Sequence, residues 1–254
     1  MKKDRFYAET GTTDELVYKS AIAFAFEYAR QDVNIKKIVL LIGTKQNTGW
    51  FELLFGKDNV KHLFSGVKNE NGPLLKIETK RTYQGGRDSS EIVITCGLDS
   101  IDIYEIDDYS SIAAIIVIPW LINGISKWLQ TWSPIEFRTG KSYAAVQSNR
   151  PNCIVRMAMD DLSTINMSDG RVTHPLDKDR MKTTIRSLHK YEPSLNGSAL
   201  LKYLVSELGW PIHVADEIER LIDTLQGGKS FKGGEMTGLQ NYYKRWAEKC
   251  KENQ

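Results

Sequence analysis

The chain has no C-x-x-C pair, no apolar run approaching the roughly 20 residues of a spanning helix, and almost no net charge. Its three cysteines, Cys96, Cys153 and Cys250, are odd in number and far apart. That excludes the paired spacing of zinc and dithiol motifs, and they read as reduced thiols. The most apolar window, Ile112 to Ile122, is broken by Pro119 and followed by Asn123 and Lys127; it reads as a buried strand running into a helix. A formal charge of +2 gives no argument for a polyanion partner, which needs clustered basic residues. The basic opening Met1-Lys2-Lys3-Asp4-Arg5 leads into no apolar stretch, so no secretory signal is read and the expected location is the cytoplasm, without membrane association. Of the four histidines, His62, His174, His189 and His213, no two have metal-ligand spacing on one helix. Without a G-x-S-x-G or Cys/His signature either, zinc-enzyme and hydrolase readings get no support.

What is present is ordinary for a globular chain. With 254 residues, 41% of them hydrophobic and 26% charged, a real core is affordable and two domains are expected. Periodicity predicts a helix from about Asp14 to Gln31, opened by Thr12-Thr13-Asp14-Glu15. Ile35 to Gly43 then reads as a central strand buried on both faces. The polar loop Thr44 to Gly49 feeds a short helix at Trp50 to Phe55. Leu74 to Tyr83 and Glu91 to Gly97 look like strands, and the turn chemistry of Gln84 to Asp88 between them predicts a hairpin. Ile112 to Pro119 repeats the buried-strand pattern, and Trp120 to Trp132 places Leu121, Ile125, Trp128 and Leu129 on one helical stripe. A last short strand is read at Ile135 to Arg138.

This alternation predicts an α/β, Rossmann-like mixed sheet layered with helices over residues 1–140. A polar stretch from Gly140 to Pro151 follows. Residues 150–254 read as a mainly α-helical domain, with helices near Cys153 to Ile165, Leu176 to His189, Ser198 to Leu208, Ile212 to Leu225 and Leu239 to Lys251.

The loop after the Ile35 strand holds the first candidate site: Gly43, Thr44, Lys45, Thr48 and Gly49. It sits where an α/β protein usually takes a ligand, outside a strand's carboxyl end, before a helix start able to receive an anion. Its spacing fits neither G-x-G-x-x-G nor the P-loop, so it marks a position for a nucleotide-like ligand and names no cofactor. Gly227-Gly228-Lys229-Ser230 fails the P-loop pattern as well, since Asp223 stands where its first glycine belongs.

Two further constellations carry chemistry. Glu78-Thr79-Lys80 has the E-x-K spacing that places a carboxylate and an ammonium on one face of a strand, where they can hold a metal and polarise a water. It resembles the PD-(D/E)xK nucleases over that single strand; Asp58 is the nearest preceding acid, and no Pro-Asp is present. Asp99 and Asp102, in an acidic segment continued by Glu105, Asp107 and Asp108, are the alternative metal ligands. The competing explanation for both is a solvated charged face.

In the helical half, Lys178, Lys182, Arg186 and Lys190 recur at i+4 and form a basic stripe along which nucleic acid can lie. The helix pair on either side of Gly209-Trp210-Pro211 has helix-turn-helix proportions, and Tyr242 to Trp246 mixes aromatic with basic residues. Trp128 and Trp132, with Trp120 just before, read as core or domain-interface anchors rather than a base-stacking platform. The leading expectation is a sensor or adaptor that binds a nucleotide-like small molecule in its first half and nucleic acid or a partner protein through its second. The alternatives are a metal-dependent nuclease or phosphohydrolase using Glu78 and Lys80, and an interaction subunit of a larger complex.

Overall fold

The computed structural model describes residues 3–9, 15–68, 72–86, 90–144 and 150–252. The expected helix cap at Thr12 to Asp14, the turn residues Arg87 and Asp88, and part of the Gly140 to Pro151 stretch lie outside them. The chain divides into two compact units, residues 1–145 and 146–254.

Among the described residues of the first unit, seven strands make one sheet: β1 (Asp4–Tyr7), β2 (Ile35–Ile42), β3 (Val67–Lys68), β4 (Leu74–Thr79), β5 (Ser90–Cys96), β6 (Ile112–Ile118) and β7 (Ile135–Glu136). Their order is β3-β4-β2-β5-β6-β1-β7, and every pairing is parallel except that of β3 with β4. The sheet is therefore mixed only at its β3 edge. Parallel strands need cover on both faces, and the sequence supplies it through the aliphatic runs of β2 and β6 and the Ile92-Val93-Ile94 centre of β5. All seven residues of β6 are buried. Ile38, Leu40, Ile42, Ile92, Ile94 and Ile116 share one core with Ala21, Ala25 and Ala29 of α1 (Glu15–Arg30), Phe51 of α2 (Gly49–Phe55) and Val60 and Leu63 of α3 (Lys57–Ser65). The alternate residues, Val39, Leu41, Val93, Ile115 and Val117, are equally buried. With period-two alternation they point to the opposite face, where α4 (Ser100–Asp107) packs on β6 and on α5 (Ser126–Trp132).

Three expectations need correction. The β4–β5 hairpin does not form: both strands pair with β2, one on each side and both parallel to it. The connection from Lys80 to Gly86 instead returns toward the start of β5, fastened by the buried Glu91. That carboxylate accepts from Tyr83 Oη (2.7 Å), Gly86 N (2.7 Å) and Ser111 Oγ (2.9 Å), and pairs with Lys37 (2.8 Å). Burial and the Glu91 charge push the Tyr83 phenol upward, which keeps it a donor. Second, β2 is interior but β5 takes the middle of the sheet. Third, the Trp120 to Trp132 stretch starts as a short 3₁₀ turn at Ile122–Ile125, and Leu121 is exposed, whereas Ile125, Trp128 and Leu129 are buried.

Several elements have no counterpart in the sequence reading, among them β1, α3, β3 and α4. Strand β1 is pinned beside β6 because Asp107 collects Lys3, Arg5 Nε (2.8 Å) and Trp128 Nε1 (3.0 Å). Helix α4 occupies the acidic segment.

Chain order against sheet order locates a switch point. From β2 the chain moves outward to β4, then crosses back over β2 to reach β5 and continues to β6. Connections leave β2 and β5 in opposite directions, so their carboxyl ends, Ile42 and Cys96, flank the crevice where open parallel sheets bind ligands.

The second unit is helical: α6 (Cys153–Leu162), α7 (Pro175–Tyr191), α8 (Gly197–Ser206), α9 (Ile212–Gln226) and α10 (Leu239–Glu252). Asn152 and Asn196 cap α6 and α8 through their side chains, the usual role of asparagine there. Helix α10 packs on both α6 and α7, and that packing corrects the thiol assignment. Cys153 at the start of α6 and Cys250 near the end of α10 form a disulfide with Cα atoms 5.9 Å apart, although 97 residues separate them. Cys96 is the free thiol, buried in the first unit, and burial pushes its pKa up.

Candidate functional site

At the switch point, Thr44 N and Thr44 Oγ1 both donate to Asn47 Oδ1, at 2.9 and 2.7 Å, and Asn47 N returns a bond to Thr44 O at 3.0 Å. Thr48 is buried; its hydroxyl donates to Lys45 O (3.3 Å) and lies 3.2 Å from Glu52 Oε1. Lys45 Nζ stands 5.8 Å from the ring centre of Phe64. The five residues singled out in the sequence thus lie between the carboxyl end of β2 and the start of α2, but the hydroxyls of Thr44 and Thr48 bond within this segment.

Beside this turn lies a cavity of about 500 Å³ lined by Gln46, Asn47, Gly49, Trp50, Leu53 and Trp120. Its volume is within the range of small-molecule sites. The residues come from three places: the loop after β2, the exposed side of α2, and the end of β6. Trp120 is 50% exposed and Leu53 69% exposed, large apolar side chains left open to solvent. Trp120 is therefore not a core residue, the first of the two roles read from the sequence, whereas Trp128 is buried. Trp120 rests on Gly97, whose φ of +68° belongs to the left-handed region where glycine is at home. Gly97, directly after β5, thereby supports the indole that walls the cavity. Gln46, Asn47, Trp50, Leu53 and Trp120 are the lining residues that motif spacing missed; Gly49 is the one candidate that lines the cavity. The available signal was position: Trp120 follows a buried parallel strand's carboxyl end.

The E-x-K pair separates into two networks. Glu78 is buried beside Lys37 (3.5 Å) and Lys76 (3.3 Å), whereas Lys80 pairs with Asp102 and with Glu105 (3.4 Å). Asp102 and Glu105 make the Lys80 ammonium hold its proton above the ordinary lysine value, in spite of partial burial, which acts the other way. Asp99 caps α4, accepting from Asp102 N at 2.9 Å, and Asp58 lies exposed on α3, paired with Lys61. Among the described residues no group of three or more His, Cys, Asp or Glu side chains is placed to hold a metal.

The basic stripe on α7 also divides. Arg186 is buried, its guanidinium 4.2 Å from the Phe231 ring centre and donating to the carbonyls of Phe231 and Gly233. Lys182 Nζ donates to Lys232 O at 2.7 Å. Both side chains hold the 231–234 segment against α7. Lys190 is exposed, near the Tyr191 ring, and Lys178 is half-buried. No described helix is long and apolar enough to cross a membrane.

Comparison with known proteins adds one match, a domain of unknown function (DUF1889) aligned to residues 151–247, which span α6 to most of α10. No curated protein and no solved structure matches.

Proposed function

We propose that the first unit is a Rossmann-like ligand-binding unit that takes a nucleotide-like small molecule at the carboxyl ends of β2 and β5, and that the protein is a sensor or adaptor. The observation that supports it is the cavity bounded by Gln46, Asn47, Trp50 and Trp120 at the sheet's switch point, the position at which doubly wound sheets bind ligands. In this reading the helical unit is the output, contacting nucleic acid or a partner protein. In a cytoplasmic setting, where cellular reductants keep thiols reduced, the Cys153–Cys250 bridge is expected to open to its dithiol form.

A thermal-shift screen against nucleotides, cyclic nucleotides and short oligonucleotides, with and without Mg²⁺, tests the reading. A ligand at about 100 times its Kd adds about 2.7 kcal/mol. The expected result is a shift with one nucleotide class that Trp120→Ala abolishes. A shift that survives in that variant places the site elsewhere.

A further inference from the structure

We infer that the switch-point cavity recognises the neutral heteroaromatic part of its ligand, a nucleobase, rather than a phosphate group; this rests on the ligand-binding reading above and names the chemistry of that same site. Three observations carry it. First, among the described residues none that lines the cavity is charged: two tryptophans and a leucine provide apolar surface, and Gln46 and Asn47 provide carboxamides. Second, the hydroxyl and ammonium side chains of the turn, those of Thr44, Lys45 and Thr48, are not among the residues that line the cavity. The Thr44 amide and hydroxyl go to Asn47, Thr48 is buried within the turn, and Lys45 extends toward Phe64. Helix α2 is only seven residues long, with the Glu52 carboxylate in its first turn, so its start is a poor place for negative charge. Third, the aromatic wall is positioned in advance, because the Trp120 indole is seated on Gly97 while half of the side chain stays open.

Those features match base recognition. A planar heterocycle stacks on an indole whatever its sequence identity, and carboxamides read the donors and acceptors on its edge. Among the described residues no hydrogen bond engages the Gln46 carboxamide, and Asn47 Nδ2 is likewise uncommitted, while Asn47 Oδ1 is fixed by Thr44. The Asn47 amide is therefore oriented, with its donor end available.

Calorimetric titration of the full chain with adenosine, guanosine, cytidine and uridine, with their 5′-monophosphates, and with inorganic phosphate separates the possibilities. The inference expects one nucleoside to bind within about threefold of its monophosphate, with little change between low and high salt, and inorganic phosphate not to bind. Trp120→Ala weakens that binding by about 5- to 150-fold, the range for loss of one stacked base. Gln46→Ala, at an exposed position, weakens it selectively for one base. A monophosphate that binds at least about tenfold more tightly than its nucleoside, with strong salt dependence lost in Lys45→Ala, overturns base recognition and leaves the ligand-binding reading standing. Absence of binding by every nucleoside and nucleotide overturns both.

Discussion

Trp120 and Gly97 are in contact such that a β-carbon on Gly97 would stand 2.8 Å from the indole Cδ1 and nearer still to Nε1. Gly97→Ala therefore has two costs. An L-residue at φ +68° loses about 1–2 kcal/mol to left-handed strain, and the indole must leave its seat. We expect a lower melting temperature together with a red-shifted, more quenchable tryptophan emission, and loss of ligand binding greater than the stability change explains. Trp120→Phe in the Gly97→Ala background should recover part of the stability but not the emission. An unchanged emission in Gly97→Ala would show that the indole is not held by this contact.

Acid should weaken the second unit through Glu192. Burial acts to raise its pKa, but hydrogen bonds from Ser194, Asn152 and Tyr243 outweigh it, and the carboxyl ends below its ordinary value of 4.5. The unfolded chain then binds the proton more tightly than the folded one. Its stabilising effect is complete above about pH 4.5 and is lost as pH falls from there through the depressed folded value. Urea midpoints measured from neutral pH downward should fall below that point in the parent and fall less steeply in Glu192→Gln. Parallel curves would remove Glu192 as the source.

The same physics decides what the sequence disclosed. The helices of the second unit were legible because their apolar residues repeat at helical spacing and breaks such as Asp169-Gly170, Glu192-Pro193 and Gly209-Trp210-Pro211 separate them. The buried strands β2 and β6 were legible as aliphatic runs. The β4–β5 hairpin was misread because Gly85-Gly86 describes a local turn, whereas pairing was decided by the two open edges of β2, a tertiary preference with no local mark. Helix α4 was hidden by its charges, although Ile103, Ile106 and Tyr104 are its buried face. Strand β1 was hidden in the same way, since Asp4 and Arg5 find partners in Tyr28 and Asp107 only once folded. For the site, the position of the Gly43 to Gly49 loop followed from topology alone, while the indole that walls it came from a residue 70 or more positions away.

The Cys153–Cys250 bridge predicts a redox-dependent stability. Closing a loop of 97 residues is worth about 4–5 kcal/mol on the chain-entropy account, with measured bridges spanning about 0–5. We expect a dithiol reductant to lower the unfolding midpoint of the helical unit, Cys153→Ser to lower it by the same amount, and reductant to have no further effect on that variant. Alkylation of the unfolded chain should label one thiol without reductant, Cys96, and all three after reduction. Three labelled thiols without reductant would mean that the bridge does not form in the purified protein.

The basic stripe of α7 permits a final separation of structural from recognition roles. Gly234 approaches α7 so closely that a β-carbon would lie 2.9 Å from Thr183 N, and Arg186 and Lys182 secure this segment through its carbonyls. Arg186→Ala leaves those acceptors and the Phe231 ring without their cation, so it should cost about 2–3 kcal/mol, in line with hydrogen bonds to a charged group. Arg186→Lys should restore only part, because an ammonium lacks the planar fork. Lys190→Ala, at an exposed position, should stay within about 0.5 kcal/mol of the parent. Fluorescence anisotropy with a short duplex then reads recognition alone. If nucleic acid lies along α7, Lys178→Ala and Lys190→Ala each weaken binding and lower the salt slope by about one. If neither does while Arg186→Ala destabilises as expected, the i+4 spacing of these cations exists to hold the 231–234 segment, and the partner surface of the helical unit lies on another face.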